Sequence, residues 1–269
     1  KKGKVGKTQI SYNSYYGWQN AAEDAVALDA AGLGEYLYLA DYYAGKTPSH
    51  GQYGFSGTPE NSQISIPYYV FASGAATADE SLYSLTPDNI YAITRSADTN
   101  WWEEVTRKNA PITSHVITAS GATEKSQYAF TTSYFSQDAV VQFVGYERVT
   151  IRANSSTKVL NDRLTIGENF TLSMDNRKGG FGNNSEQNAV SAAYKHHPLL
   201  PVYDIAGNFA GSRGLNLGNN NAPFARLSRN QDDRSKRIRA FGSVYAEAKI
   251  ADKITAKTTF GFDVVGRRF

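Results

Sequence analysis

The chain has 269 residues, a formal net charge of +3, 41% hydrophobic residues and 20% charged residues, which excludes a disordered tail and fits one large domain or two small ones. It contains no cysteine, so disulfides, thiolate zinc sites and a cysteine nucleophile are excluded. Mean hydropathy is −0.47 and no run of about 18 apolar residues occurs, which excludes a transmembrane helix but not a membrane β-barrel, whose alternating strands average out as polar.

The mild positive charge does not by itself point to nucleic acid. A composition of 18 Tyr and 13 Phe against one Met leans towards β structure. Residues 1–7 read as a basic, glycine-punctuated connector. In residues 8–18, Ile10, Tyr12, Tyr16 and Trp18 alternate with Gln9, Ser11, Asn13 and Gly17. That period of two predicts a first strand.

Residues 19–111 read as a long irregular connection. A short helix is expected over the Ala-rich residues 21–31 and another over 101–107, capped near Thr99 or Asn100. Strand signals return at 113–122, and a tight turn follows at 121–124. Over 125–137, Tyr128, Phe130 and Tyr134 oppose Gln127, Thr131 and Ser133. Over 145–159, Val149, Ile151 and Ala153 oppose Arg148, Thr150, Arg152 and Asn154. Over 163–175, Leu164, Ile166, Phe170, Leu172 and Met174 share a face that only Glu168 interrupts. Residues 176–233 are polar, rich in Gly and Asn, and read as a second long loop. Two further strands, 237–250 and 253–265, close the pattern around a turn at 251–252.

Domain organisation is therefore expected to be a connector at 1–7 and a strand-built region at 8–269, with long loops at 19–111 and 176–233. The fold class is all-β, with about seven strands of roughly 10 to 15 residues, as in an up-and-down antiparallel transmembrane barrel. Connections alternate between long or middling and short, the pattern of tight periplasmic turns and long extracellular loops. A loop of roughly 90 residues would be out of place in a compact soluble domain. This parity runs strands one and three outward, so Tyr15, Tyr16 and Trp18, with Tyr134 and Phe135, are expected in an outer aromatic girdle. The opening Lys1-Lys2-Gly3 lacks an initiator Met, and about seven strands do not make a finished single-chain barrel. The chain is expected to be the first part of a larger one.

No constellation of residues points to catalysis, a metal or a cofactor. His196-His197 is the only paired histidine, and His50 and His115 lie far from it in sequence. Adjacent histidines in extended chain point apart, so a polar loop contact is expected rather than a metal site. Glu103-Glu104 sits at a helix start, where acids favour the helix dipole, and is not spaced as glycosidase carboxylates are. Trp101 and Trp102 could stack on a sugar, but are expected to pack a loop. The run Lys178-Gly179-Gly180-Phe181-Gly182 lacks the Gly-Lys-Ser/Thr ending of a phosphate-binding loop. Arg226, Arg229, Arg234, Lys236, Arg237 and Arg239 form a basic cluster, expected to meet lipopolysaccharide phosphates or a partner at the extracellular rim. Arg148 and Arg152 fall on a polar, lumen-type face. Glu168 falls on the apolar face, where a place near the membrane interface is expected.

Three segments carry a family resemblance. The opening KKGKVGKTQISYNSYYGWQN resembles the plug-to-barrel junction of SusC/RagA-family TonB-dependent outer-membrane transporters. Residues 98–141, from DTNWWEEVTRKNAPITSHV onward, resemble the most recognisable barrel segment of that family, and so do residues 146–173, YERVTIRANSSTKVLNDRLTIGENFTLS. The resemblance implies a barrel of about 22 strands filled by an N-terminal plug. It also implies a SusD-like surface lipoprotein as a lid, energy delivered through TonB to a plug segment upstream of Lys1, and import of a glycan or an oligopeptide. It implies a multi-pass protein of a Gram-negative outer membrane, not an enzyme, with no cofactor and no nucleic-acid partner. The substrate-binding residues are unknown from sequence, and the long loops are the expected contacts. The alternative is an outer-membrane adhesin or glycan-binding surface protein that does not transport.

Overall fold

The computed structural model of the chain describes residues 5–22, 27–70, 80–82, 94–180, 188–212, 214–218 and 222–268. In chain order the elements are β1 (Gly6–Gln19), α1 (Ala30–Tyr43), β2 (Gly54–Thr58), β3 (Asn61–Ser65), β4 (Tyr69–Val70), a 3-10 turn at Glu80–Leu82, and β5 (Thr94–Arg95). They continue as α2 (Trp101–Val105), β6 (Ala110–Ala122), β7 (Ser126–Asp138), β8 (Gly145–Val159), β9 (Leu164–Lys178), α3 (Ala189–Lys195), α4 (Pro223–Arg229), β10 (Arg234–Ala251) and β11 (Ile254–Arg268). The chain divides into two compact units, one formed by residues 1–20, 108–179 and 232–269, the other by 21–107 and 180–231.

The first unit is a seven-stranded antiparallel sheet in the order β1-β6-β7-β8-β9-β10-β11. Side chains alternate between the two faces, and directly paired residues share a face. The register therefore sorts the whole sheet. Ile10, Ala119, Phe130, Ala153, Phe170, Gly242 and Phe262 are successive cross-strand partners in one row. Two residues up on the same face lies the row Tyr12, Ile117, Thr132, Ile151, Leu172, Ala240 and Val264. Between them, on the opposite face, lies Ser11, Thr118, Thr131, Arg152, Thr171, Phe241 and Asp263. One face is apolar from edge to edge and the other is polar. A one-residue slip of any strand would exchange its faces, so this pattern also holds the register.

Turns at one end are tight. Between β6 and β7, Thr123 Oγ1 accepts from Ser126 N at 3.0 Å and Thr123 N donates to Ser126 O at 2.7 Å. Between β8 and β9, Leu160, Asn161 and Asp162 all have left-handed φ, at 54°, 53° and 63°. Asn and Asp tolerate that region because their short polar side chains bond locally, whereas Leu160 carries a cost of order 1 kcal/mol. At the other end the chain leaves the sheet for the two long connections, 20–109 and 179–233.

Those connections build the second unit. Asp29 caps α1 by accepting from Gly32 N at 2.7 Å. Gly34 lets the helix close on β3, since a Cβ there would stand 2.5 Å from Ile64 Cγ2. Tyr53 Oη donates to Ala30 O and Tyr38 Oη to Gly57 O, tying α1 to the β2–β3 region. Ala97 N, Thr99 N and Thr99 Oγ1 donate to the carbonyls of Leu199, Pro198 and Leu200, which knits the two connections into one body. Helices α2, α3 and α4 pack on one another around Val105, Ala192, Leu199, Leu200, Pro223 and Leu227, all buried. Each buried leucine contributes roughly 1.5–3 kcal/mol of burial free energy.

Several expectations are corrected here. The first strand starts at Gly6, inside the connector assigned to 1–7. Residues 27–31 do not end a helix begun at 21. A helix begins at Ala30 and runs to Tyr43, while residues 23–26 lie outside the described ones. Its sequence holds Gly32 and Gly34, poor helix formers that tertiary packing overrides. Residues 176–233 are not loop alone, since α3 is capped by Asn188 and α4 begins with Pro223 at its first turn. The register also splits the expected girdle. Tyr16, Trp18 and Tyr134 lie on the apolar face, but Tyr15 and Phe135 belong to the polar one, because neighbours in a strand face opposite ways.

Candidate functional site

The polar face of the sheet carries a row of charged side chains. Tyr15, Ser114, Phe135, Arg148, Asp175, Arg237 and Arg267 pair in succession across all seven strands, near the strand ends from which the long connections leave. Asp175 is buried and lies directly between Arg148 and Arg237 in the register. Its Oδ2 accepts from Arg237 Nε at 2.8 Å and lies 2.6 Å from Arg237 Nη2, while its Oδ1 accepts from Tyr146 Oη at 2.7 Å. Arg237 thus holds Asp175 by two nitrogens of its guanidinium. One row away, Arg239 makes a two-pronged pair with Asp263, at 2.9 and 2.6 Å. A small cavity of about 150 Å³ is lined by Asp175, Arg177, Ser235, Arg237 and Arg267.

Arg148 and Arg152 lie on this polar face, as their alternation implied. The basic residues read along 226–239 are divided between the two units. Arg226 and Arg229 belong to α4 of the second unit, whereas Arg237 and Arg239 are paired with acids on the polar face of the sheet. Strand alternation separates them from Lys236, which takes the apolar-face register with Asn176. Glu168 does lie on the apolar face, opposite Ser155 and Val244. Ser155 Oγ donates to its Oε2 at 2.6 Å. Glu168 stands four residues from the first residue of β9, about 13 Å along the strand from the tight turn.

The second unit has a groove of about 460 Å³ whose wall includes Leu28, Leu33, Trp101, Tyr194, His196 and His197. Structure brings together histidines that sequence kept apart. The His50 and His197 rings are 5.8 Å apart, and both lie against Tyr53 at 5.1 and 5.8 Å. His196 turns instead to the edge of Trp101, 4.5 Å away, and Trp101 Nε1 donates to His197 O at 3.1 Å. The two neighbours therefore do point apart. His197 Nδ1 accepts from Leu199 N, but both ring nitrogens of His196 and Nε2 of His197 are buried without a hydrogen-bond partner. Burial holds each of these two imidazoles at a pKa of about 4, so both are neutral. Burial lowers His50 as well, against an opposing pull from the Asp41 charge. Among the described residues no group of three or more His, Asp or Glu is placed to hold a metal ion.

His115 lies elsewhere, on the apolar face, where Tyr12 Oη and Thr113 Oγ1 bond its two ring nitrogens at 2.7 and 3.1 Å. Trp101 is a buried core residue of α2, not an exposed stacking platform. Glu103 and Glu104 occupy the first turn of α2, whose N-cap Asn100 accepts from Glu103 N. In the run 178–182, Gly179 has a left-handed φ of 64° and a Cβ there would meet Phe143 O at 2.3 Å, while Phe181 and Gly182 lie outside the described residues. The arginine row was missed from sequence. Its signal was available for Asp175 and Arg237, which each fall on the polar side of an alternating strand.

No protein-family profile matches the chain. It is similar to TonB-dependent receptor P3 of Formosa agariphila, with 29% identity over 175 residues that make up 62% of this chain and 17% of the relative. It is also similar to TonB-dependent receptor P26 of the same organism, with 26% identity over 167 residues, 61% of this chain and 16% of the relative. The chain thus spans about a sixth of the length of the curated relatives it matches. Among solved structures it is similar to the RagAB peptide importer in its closed-closed state, with a TM-score of 0.63 and 18% identity, covering 99% of this chain and 29% of that one. A second RagAB peptide transporter structure gives a TM-score of 0.64 at 17% identity, with the same coverage. The fold is therefore that of part of the RagAB importer, a large antiparallel sheet that does not close within this chain. The resemblance to TonB-dependent transporters drawn from the sequence agrees with these comparisons, whose members are named as receptors and as a peptide importer.

Proposed function

We propose that this chain forms part of the wall of an outer-membrane barrel that imports a polar nutrient, a glycan or an oligopeptide, by a TonB-dependent cycle. One observation carries this reading: the sheet has an apolar face whose large side chains are exposed among the described residues. Phe130 and Val244, on strands with neighbours on both sides, are 46% and 48% exposed. A soluble protein rarely leaves so continuous an apolar surface open, whereas a barrel turns it towards lipid. The shortest strands of the sheet, β6 and β7, have 13 residues, about 43 Å at ~3.3 Å per residue, and at a tilt of ~45° this spans the apolar band of a membrane. The polar face then lines the interior, the tight turns face the periplasm, and the long connections face outward.

Import also needs a moving part and an energy source. In this reading a plug occupies the interior, TonB acts on it, and a SusD-like lipoprotein closes the outer mouth. The similarity to TonB-dependent receptors and to a peptide importer supports the barrel, the energy source and the cargo class in that order. No bond is made or broken by this chain.

The test is uptake by cells carrying the full-length receptor. Fluorescent oligopeptide and oligosaccharide pools are offered to cells with and without the receptor gene, and with and without TonB. The expected result is receptor-dependent internalisation of one pool that stops when TonB is removed. Surface binding that persists without TonB, with no internalisation, would favour the non-transporting adhesin instead.

A further inference from the structure

We propose that the cavity at the outer end of the polar face, between β9, β10 and β11, is an oxyanion site that receives a carboxylate. Three arginines and one aspartate line it, an excess of two positive charges. Asp175 is already used, since its two oxygens are taken by Arg237 and Tyr146. Arg267 stands directly opposite Arg237 in the register. Like charges placed face to face across a sheet destabilise it unless something sits between them. Among the described residues neither the Arg177 nor the Arg267 side chain has an ion-pair or hydrogen-bond partner. Ser235, on the cavity wall, adds a neutral hydroxyl donor.

The size and chemistry select the ligand. A cavity of about 150 Å³ is below the roughly 300–1,000 Å³ that encloses a whole small molecule, so it takes one functional group. A planar carboxylate matches the forked donors of a guanidinium, and two arginines can receive it together. Asp175 fixes Arg237 and Tyr146 in place, so the site is held ready without a ligand. The carboxylate has two candidate sources: the imported solute, or an acidic side chain from another segment of the receptor. This inference rests on the reading that the polar face lines the barrel interior.

The experiment uses the purified full-length receptor, a labelled hexaglutamate probe and its neutral counterpart hexaglutamine. Binding is measured by fluorescence anisotropy at fixed ionic strength, without energised uptake, so failure of the transport reading leaves the result intact. The variants are R177Q/R267Q, with Arg237 kept because Asp175 depends on it, and R177K/R267K. The wild type should bind hexaglutamate in preference to hexaglutamine, the glutamine variant should bind it at least tenfold more weakly, and the lysine variant should fall between. Equal yield of barrel that migrates as folded in unheated gels checks that the variants fold. An electron-density map of the full-length receptor gives the second arm. An Asp or Glu of the receptor seated in the cavity, with no probe binding, would place the carboxylate in the protein itself and uphold the oxyanion site. An empty cavity with no preference for hexaglutamate, or a preference untouched by R177Q/R267Q, would overturn it.

Discussion

Glu168 and Ser155 face each other across β9 and β8 on the apolar side of the sheet, and Ser155 Oγ donates to Glu168 Oε2 at 2.6 Å. This bond gives the Glu168 carboxylate a partner among neighbours such as Phe170, Ile166 and Val244. Removing the hydroxyl by Ser155→Ala leaves the carboxyl with a lost partner and should destabilise the barrel by about 1–3 kcal/mol. The double variant Ser155→Ala/Glu168→Leu should recover most of that loss, because both polar groups are gone. Urea unfolding of the full-length receptor in detergent, followed by tryptophan fluorescence, measures both.

The two faces can be tested one residue apart. Phe130 and Thr131 are neighbours in β7 and belong to opposite faces. In the proposed barrel Phe130→Arg would place a cation in lipid and should cost about 2–4 kcal/mol at the membrane midplane. Thr131→Arg points to the polar face and should lose little beyond the 3.1 Å hydroxyl contact with Thr118. Equal losses from the two variants, read as the yield of folded barrel in the outer-membrane fraction, would contradict the assignment of faces.

Asp175 organises the arginine row. Its side chain is 3% exposed while that of Arg237 is 38% exposed, so the pair is partly screened by water on one side. Asp175→Ala should therefore cost about 2 kcal/mol, less than breaking a wholly buried pair. The loss should be shared with Arg237→Gln, so that the double variant is far better than the sum of the singles. A double-mutant cycle by denaturant unfolding reads the coupling, and additive losses would mean that the pair contributes nothing.

The second unit should respond to acid before the sheet does. His196 and His197 sit at a pKa of about 4 because burial disfavours their charged forms, whereas in the unfolded chain they return to about 6.5. Their folded pKa is depressed, so the unfolded state binds more protons between those values. Stability of this unit is then complete above about pH 6.5 and falls as pH drops towards 4. Each histidine adds a slope of up to about 1.4 kcal/mol per pH unit. Hydrogen exchange of peptides from α2 and α3, corrected for intrinsic rates, should show loosening at pH 5 relative to pH 7. His196→Phe keeps the ring contact with Trp101 and should reduce that pH response. An unchanged response would remove His196 from the account.

The period-two pattern alone located all seven strands of the sheet. The strand expected at 145–159 has the observed bounds, and the others start or end within a few residues of theirs. It could do so because each strand has one apolar and one polar face, so its sequence must alternate, and a slip of one residue is costly. The sequence also placed Arg148, Arg152 and Glu168 on their correct faces. What it could not show depends on contacts between distant residues. The helix α1 holds two glycines and many aromatics, and its sense appears only when Gly34 meets Ile64. His50 and His197 become neighbours only through the joining of the two long connections. The arginine row needed the register as well as the alternation: period two reaches Asp175 and Arg237, Arg267 lies beyond the strand expected at 253–265, and only strand pairing sets the three side by side.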